Sequence, residues 1–216
     1  MLKKSLLCLL LAMCVTTAAV AQDPMRFGAT LGLNMSGLAQ DPEYPSGVDE
    51  SMRLGLRVGP IVEFPLNQMI ALQGGVLYSM KGEKIEYGNF EETLKLDYVS
   101  IPVMAKIGFM PEATARPFVK IGPELGILVS AKDEWEEPGD SGDDDIKDDL
   151  KSIDLGLGFG AGVEMPLSDF VGFLEASYTL GLMDIADSDD DDEDKQDDEE
   201  MEVKNRTISI AVGIKF

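Results

Sequence analysis

The chain has 216 residues, with 40 acidic against 18 basic side chains and a formal net charge of −22. A hydrophobic share of 44% excludes a disordered acidic polypeptide, and the negative balance argues against a nucleic-acid partner. There is no histidine, which removes the commonest general base and most zinc chemistry, so no catalytic residue, cofactor or specific metal is expected.

Residues 1–21 read as a secretory signal peptide. Lys3 and Lys4 supply the basic start, Leu6 to Val15 the apolar core, and Ala19-Val20-Ala21 the small-residue cleavage pattern, with cleavage after Ala21. Both cysteines, Cys8 and Cys14, fall inside this segment, so residues 22–216 carry no disulfide or thiolate site. Those residues are expected to form a single domain.

No later stretch is apolar over 18 residues, which excludes a helical span. Eight segments alternate with period two instead. Phe27, Ala29, Leu31, Leu33 and Met35 share one face of the first, and Met52, Leu54, Leu56, Val58 and Val62 one face of the second. Ile70, Leu72, Val76, Tyr78 and Met80 mark the third, and Val99, Ile101, Val103, Ala105 and Ile107 the fourth. The fifth carries Val119, Ile121, Leu125, Ile127 and Val129 against Lys120, Gly122, Glu124, Gly126 and Ser130. Ile153 to Met165, Leu174 to Leu182 and Ile208 to Phe216 complete the set. Short connections at 65–68, 110–116 and 166–169 alternate with long ones at 39–51, 82–93, 131–151 and 184–203.

Alternation is shared by soluble sandwiches and membrane barrels, and the polar face separates them. Here that face is glycine, small hydroxyls and charges, with Gly156, Gly158, Gly160 and Gly162 in one strand. It suits neither a dry core nor a solvent surface. Strands of 9–11 tilted residues cross hydrocarbon, and closure satisfies every backbone group without water. The expected fold is all-β: an eight-stranded antiparallel up-and-down transmembrane β-barrel, with short periplasmic turns and long acidic extracellular loops. Outer-membrane lipid is then its first partner. Pro60, Pro102 and Pro123 fall within predicted strands and must sit at bulges or ladder ends.

The inward charges nearly balance. Arg53, Arg57, Lys106, Lys120 and Lys215 stand against Glu63, Glu124, Glu164 and Glu175. Eight strands enclose little more than their own side chains, so these nine are expected to pair into a plug rather than line a channel.

Two long connections hold most of the net charge: 131–152 carries a net −7 and 184–203 a net −12. Runs such as Asp189, Asp190, Asp191, Asp192, Glu193 and Asp194 repel internally and are expected to be mobile and solvated. Carboxylate oxygens suit divalent cations such as calcium, and basic partners are a second option, but no EF-hand spacing is present. Trp135, between Glu134 and Glu136, reads as a loop-packing or interfacial residue.

Three stretches resemble a known family. Leu77-Tyr78-Ser79-Met80-Lys81-Gly82, Tyr98-Val99-Ser100-Ile101-Pro102-Val103 and Glu175-Ala176-Ser177-Tyr178-Thr179-Leu180-Gly181-Leu182 look like the outer-membrane β-barrel domain proteins of Bacteroidota, labelled porin-family or PorT-like. The resemblance implies an eight-stranded barrel that tolerates Pro102 in its strand. The final strand ending at Phe216 is similar to the signal by which the barrel-assembly machinery recognises clients. The expected function is non-enzymatic: a plugged barrel with acidic surface loops, serving envelope structure, surface interaction or assembly. The alternative is a narrow porin-like pore for ions or small solutes.

Overall fold

The alternating segments all become strands in the computed structural model, which describes residues 24–41, 49–88, 90–186 and 202–216. The strands are β1 (Arg26–Asp41), β2 (Asp49–Pro65), β3 (Ile70–Gly75), β4 (Leu77–Tyr87) and β5 (Phe90–Gly108). They continue with β6 (Arg116–Glu137), β7 (Asp140–Asp145), β8 (Ile153–Pro166), β9 (Val171–Gly181) and β10 (Glu202–Lys215), with a 3-10 turn at Lys147–Asp149. Neighbouring staves pair antiparallel in sequence order, β5 with β6 among them, and β1 pairs with β10 from Gly28–Lys215 to Asp41–Glu202 to close the ring. β3 and β4 form one stave interrupted at Val76, and β7 is an added hairpin strand on β6. The barrel therefore has eight staves.

The outward face is apolar. Leu31, Leu54, Ile121, Leu174 and Val212 all stand exposed, whereas Asn34, Ser79, Ser100 and Ser209 on the opposite face are buried. Hydrocarbon is the solvent that such an exterior matches, and closure leaves no open edge within it.

The prolines sit where the ladders lapse. Val76 N–H donates to the Pro60 carbonyl at 3.1 Å, but Pro60 has no N–H to return, and the third stave breaks there. The β5–β6 ladder skips from Pro102–Glu124 to Ala105–Ile121, and Pro123 lies in that gap while pairing on its other side with Leu157.

The long connections differ from the expected solvated loops. Residues 82–93 are mostly strand, with β4 and β5 paired up to Tyr87–Phe90 around Gly88. Gly88 has a φ of +62°, which glycine adopts without strain. Residues 131–151, expected to be mobile and unpacked, instead extend β6 to Glu137 and fold back as β7, paired from Lys132–Asp145 to Glu137–Asp140. Repulsion among the carboxylates is offset by backbone ladder bonds and by Lys132, which reaches Asp143 at 3.0 Å. Trp135 is loop-packing: its ring lies over Gly142, where an added Cβ would meet it at 2.7 Å. The run Asp189 to Asp194 and the segment 1–21 lie outside the described residues.

A register shift between Asp97 and Tyr98 makes Val129 an extra residue of β6. Parity flips beyond it. Ala131 takes the buried position, and Ser130, expected inward, is only half-buried. With Leu96, Tyr98, Leu128 and Ile185, Ala131 forms an apolar cluster at the loop end, packed by Leu38, Leu94, Ile146, Leu150 and Val203.

Candidate functional site

Among the described residues the lumen gathers most of the buried charged and polar side chains. Strand parity sends polar side chains inward from every stave, and in so narrow a ring they must meet.

Nearest the short turns, Glu63 and Glu164 share two lysines. Lys106 Nζ lies 2.7 Å and Lys215 Nζ 2.6 Å from Glu63 Oε2, and both lysines also pair with Glu164. The set is charge-neutral, and Arg26 approaches Glu63 at 3.6 Å from the rim. Lys106 faces the Phe118 ring at 4.9 Å and Lys215 faces Phe173 at 5.6 Å, so aromatic faces cover what the carboxylates leave open. Above this layer Lys120 pairs with Glu175 at 2.7 Å. Arg57 then forks onto Glu124, with Nη2 to Oε2 at 2.6 Å and Nη1 to Oε1 at 3.3 Å. Arg53 is half-buried, bonds the Lys81 carbonyl and stands 4.0 Å from Asp97. Eight of the nine expected inward charges thus meet within three layers, and Arg53 sits apart at the loop end.

The same parity carries in residues that the sequence analysis did not place in the charge set. Lys81 lies 3.4 Å from Asp154 and 3.8 Å from Glu124, with Nζ 4.9 Å from the centre of the Tyr98 ring. Asn205 Nδ2 donates to Asp154 Oδ2 at 3.0 Å and to the Tyr98 hydroxyl at 3.3 Å. Asn34 donates to Ser79 and Met80 and accepts from Ser209 at 2.7 Å. The available signal was position alone: Lys81 and Asp154 share the small-residue face of their strands.

Over these layers lies the apolar cap. It is tied down outside the membrane by Asp184, whose carboxylate pairs with Lys151 at 2.7 Å and accepts the Val203 and Ala186 N–H groups. Burial raises its pKa, but the lysine and the two N–H bonds outweigh that and hold it below the ordinary value. On the hairpin side, burial and mutual contact push Glu92 above the ordinary range; burial also raises Asp133, outweighing the bond that Glu92 makes to it.

Two spaces open along the lumen. A vestibule of about 300 Å3 opens at the turn end among Arg26, Arg116 and Glu112 and stops against Glu63, Lys106 and Glu164. The next void, bounded by Arg57, Gln73, Lys120 and Glu175, is about 30 Å3, room for a water or two. Among the described residues no group of three or more acidic, cysteine or histidine side chains is placed to hold a metal ion.

A sequence profile for the outer membrane protein beta-barrel domain matches residues 20–187. The chain belongs to that family, and its place is the outer membrane, in contact with outer-membrane lipid. Solved structures with a similar course include Neisserial surface protein A, at 12% identity and TM-score 0.48, covering 89% of this chain and 98% of that one. The outer membrane protein OprG from Pseudomonas aeruginosa is 10% identical at TM-score 0.46, covering 89% and 94%. The attachment invasion locus protein Ail of Yersinia pestis is 16% identical at TM-score 0.41, covering 90% and 100%. No curated protein matches the sequence.

Proposed function

We propose that the protein is a sealed, non-enzymatic outer-membrane barrel whose work is done at its outer surface, in envelope structure, surface interaction or assembly. The observation that carries this reading is the double closure of the lumen. The neutral Glu63–Lys106–Glu164–Lys215 cluster stops the vestibule at one end, and the Leu96–Tyr98–Ile185 cap covers the other. A conducting pore needs a continuous wet path, and the void beside Arg57, Lys120 and Glu175 is about 30 Å3, room for a water or two. What remains open to partners is the rim, where β7 holds Asp140, Asp143, Asp144 and Asp145 exposed. Basic surfaces or diffusely held divalent cations are the chemistry that such a rim attracts, and the Asp189–Asp194 run would add to it.

On this reading residues 1–21 direct export and are removed, and the strand ending at Phe216 is what the barrel-assembly machinery engages. Planar-bilayer recording of purified protein tests the closure. Wild type is expected to give no steady unitary steps at moderate voltage. Steady steps whose amplitude changes in Arg57→Ala or Glu124→Ala would replace this reading with the narrow pore.

A further inference from the structure

The vestibule at the short-turn end holds positive charge that its floor does not use. That floor is already neutral, because Lys106 and Lys215 pair with Glu63 and Glu164. Two arginines, Arg26 and Arg116, line the same cavity. Arg26 is the cross-strand partner of Glu63 and Arg116 that of Glu164, so each stands opposite a carboxylate that two lysines already neutralise. Arg26 comes only within 3.6 Å of Glu63 Oε1, and no carboxylate among the described residues pairs with Arg116. Both arginines are half-buried, whereas Glu112 in the same lining is exposed and its charge is screened by water. The mouth is therefore positive in a chain whose formal net charge is −22.

Position makes the pair two-ended. Arg26 begins β1 and Arg116 begins β6, the fifth of eight staves counted from β1, so the two stand on opposite walls of one cavity. Arg116 is held at its base: Nε donates to the Ala113 carbonyl at 3.3 Å, and its two Nη groups have no partner among the described residues. Asn67, also in the lining, commits its Oδ1 to the Met69 and Ile70 N–H groups at 2.8 Å each, which leaves its amide donor. The uncommitted groups are donors, and a ligand made of acceptors suits them. A guanidinium takes a carboxylate as a two-pronged pair. The cavity of about 300 Å3 equals the volume of about ten waters, so the ligand is small.

We infer that the vestibule is a binding site for a small dicarboxylate anion, one carboxylate on Arg26 and the other on Arg116. Met69 and Phe109 in the lining offer apolar contact to the short chain between them. The site opens on the short-turn side, which faces the periplasm in barrels of this kind. It lies at the opposite end from the acidic rim and does not depend on whether the lumen conducts.

The test is calorimetric titration of the full chain in detergent micelles at constant ionic strength, with succinate and glutarate against acetate and inorganic phosphate. Wild type is expected to bind one dicarboxylate per chain saturably, about tenfold or more tighter than acetate or phosphate. Arg26→Gln and Arg116→Gln are each expected to weaken that binding about tenfold, with the heat-dependent gel shift of the folded barrel retained. The comparison of ligands on wild type needs no variant and stands even if one fails to fold. No saturable binding of either dicarboxylate, acetate or phosphate bound as tightly, or undiminished affinity in either folded arginine variant would each overturn the site.

Discussion

The two ends of the lumen are shut by opposite physics. At the turn end, four charged side chains neutralise one another inside the membrane span, with two aromatic rings over the lysines. At the loop end, aliphatic and aromatic groups from β1, β5, β6, β10 and the connections between them exclude water above the span. The ionic closure cannot lose one member without stranding a charge in a place that water barely reaches. The apolar closure degrades by increments, one side chain at a time, as any core does. The inner end is therefore expected to be stiff and intolerant, and the outer end graded.

The sharpest way to break the contrast is Glu63→Gln, which leaves Lys106 and Lys215 with Glu164 alone. A loss of about 3–5 kcal/mol is expected in urea unfolding from vesicles. Replacing Glu63 and Lys106 together with Leu and Met should recover much of that loss, and no recovery would show that the cluster is not the unit described. On the outer side Leu96→Ala should cost about 2–3 kcal/mol, with the barrel still folding and shifting on gels when heated. Asp184→Asn keeps acceptors for Val203 and Ala186 but drops the partly exposed pair to Lys151. About 0.5–1 kcal/mol is expected, read best as faster hydrogen exchange at Ile185 and Val203.

The acid response should divide the outer end again. Asp184 has a lowered folded pKa, so its contribution is complete above the ordinary aspartate value of about 3.9 and fades as pH falls through the folded value. Glu92 and Asp133 have raised folded values, so the folded hairpin holds protons more tightly than the unfolded chain does. Their contribution is present in acid and declines as pH rises from about 4 through those raised values. Trp135, the single tryptophan and the register partner of Glu92, reports this locally. Its emission should change over that window in wild type and flatten when Glu92→Gln and Asp133→Asn are combined. The smallest stability effect belongs to Gly142→Val, whose side chain would displace the Trp135 ring and shift its emission to the red with the barrel intact.

The staves were legible because lipid and lumen impose opposite chemistry on alternate residues, and Leu54, Arg57 and Val58 record that directly. The strand extensions were not. Asp140 to Asp145 has no apolar face and little strand propensity, and only pairing to β6 makes it extended. The cap was hidden for a related reason. Ile146 and Leu150 lie singly among charges, and a single apolar residue carries no period. The extra residue at Val129 likewise has no sequence mark, yet it decides whether Ser130 or Ala131 turns inward. Glu83 and Asp154 escaped the charge set because it drew on residues flanked by the clearest alternation, and both stand at its ends.

One outer strand has a bearing on life in a crowded membrane. Among the described residues β7 is paired only through β6, which leaves its second edge of backbone groups open to the surroundings. An open edge invites stitching to the next molecule, and barrels packed side by side meet often. Here any copy approaching edge to edge would bring Asp140, Asp143, Asp144 and Asp145 against their own duplicates. Like charge would then oppose the very pairing that the open edge invites.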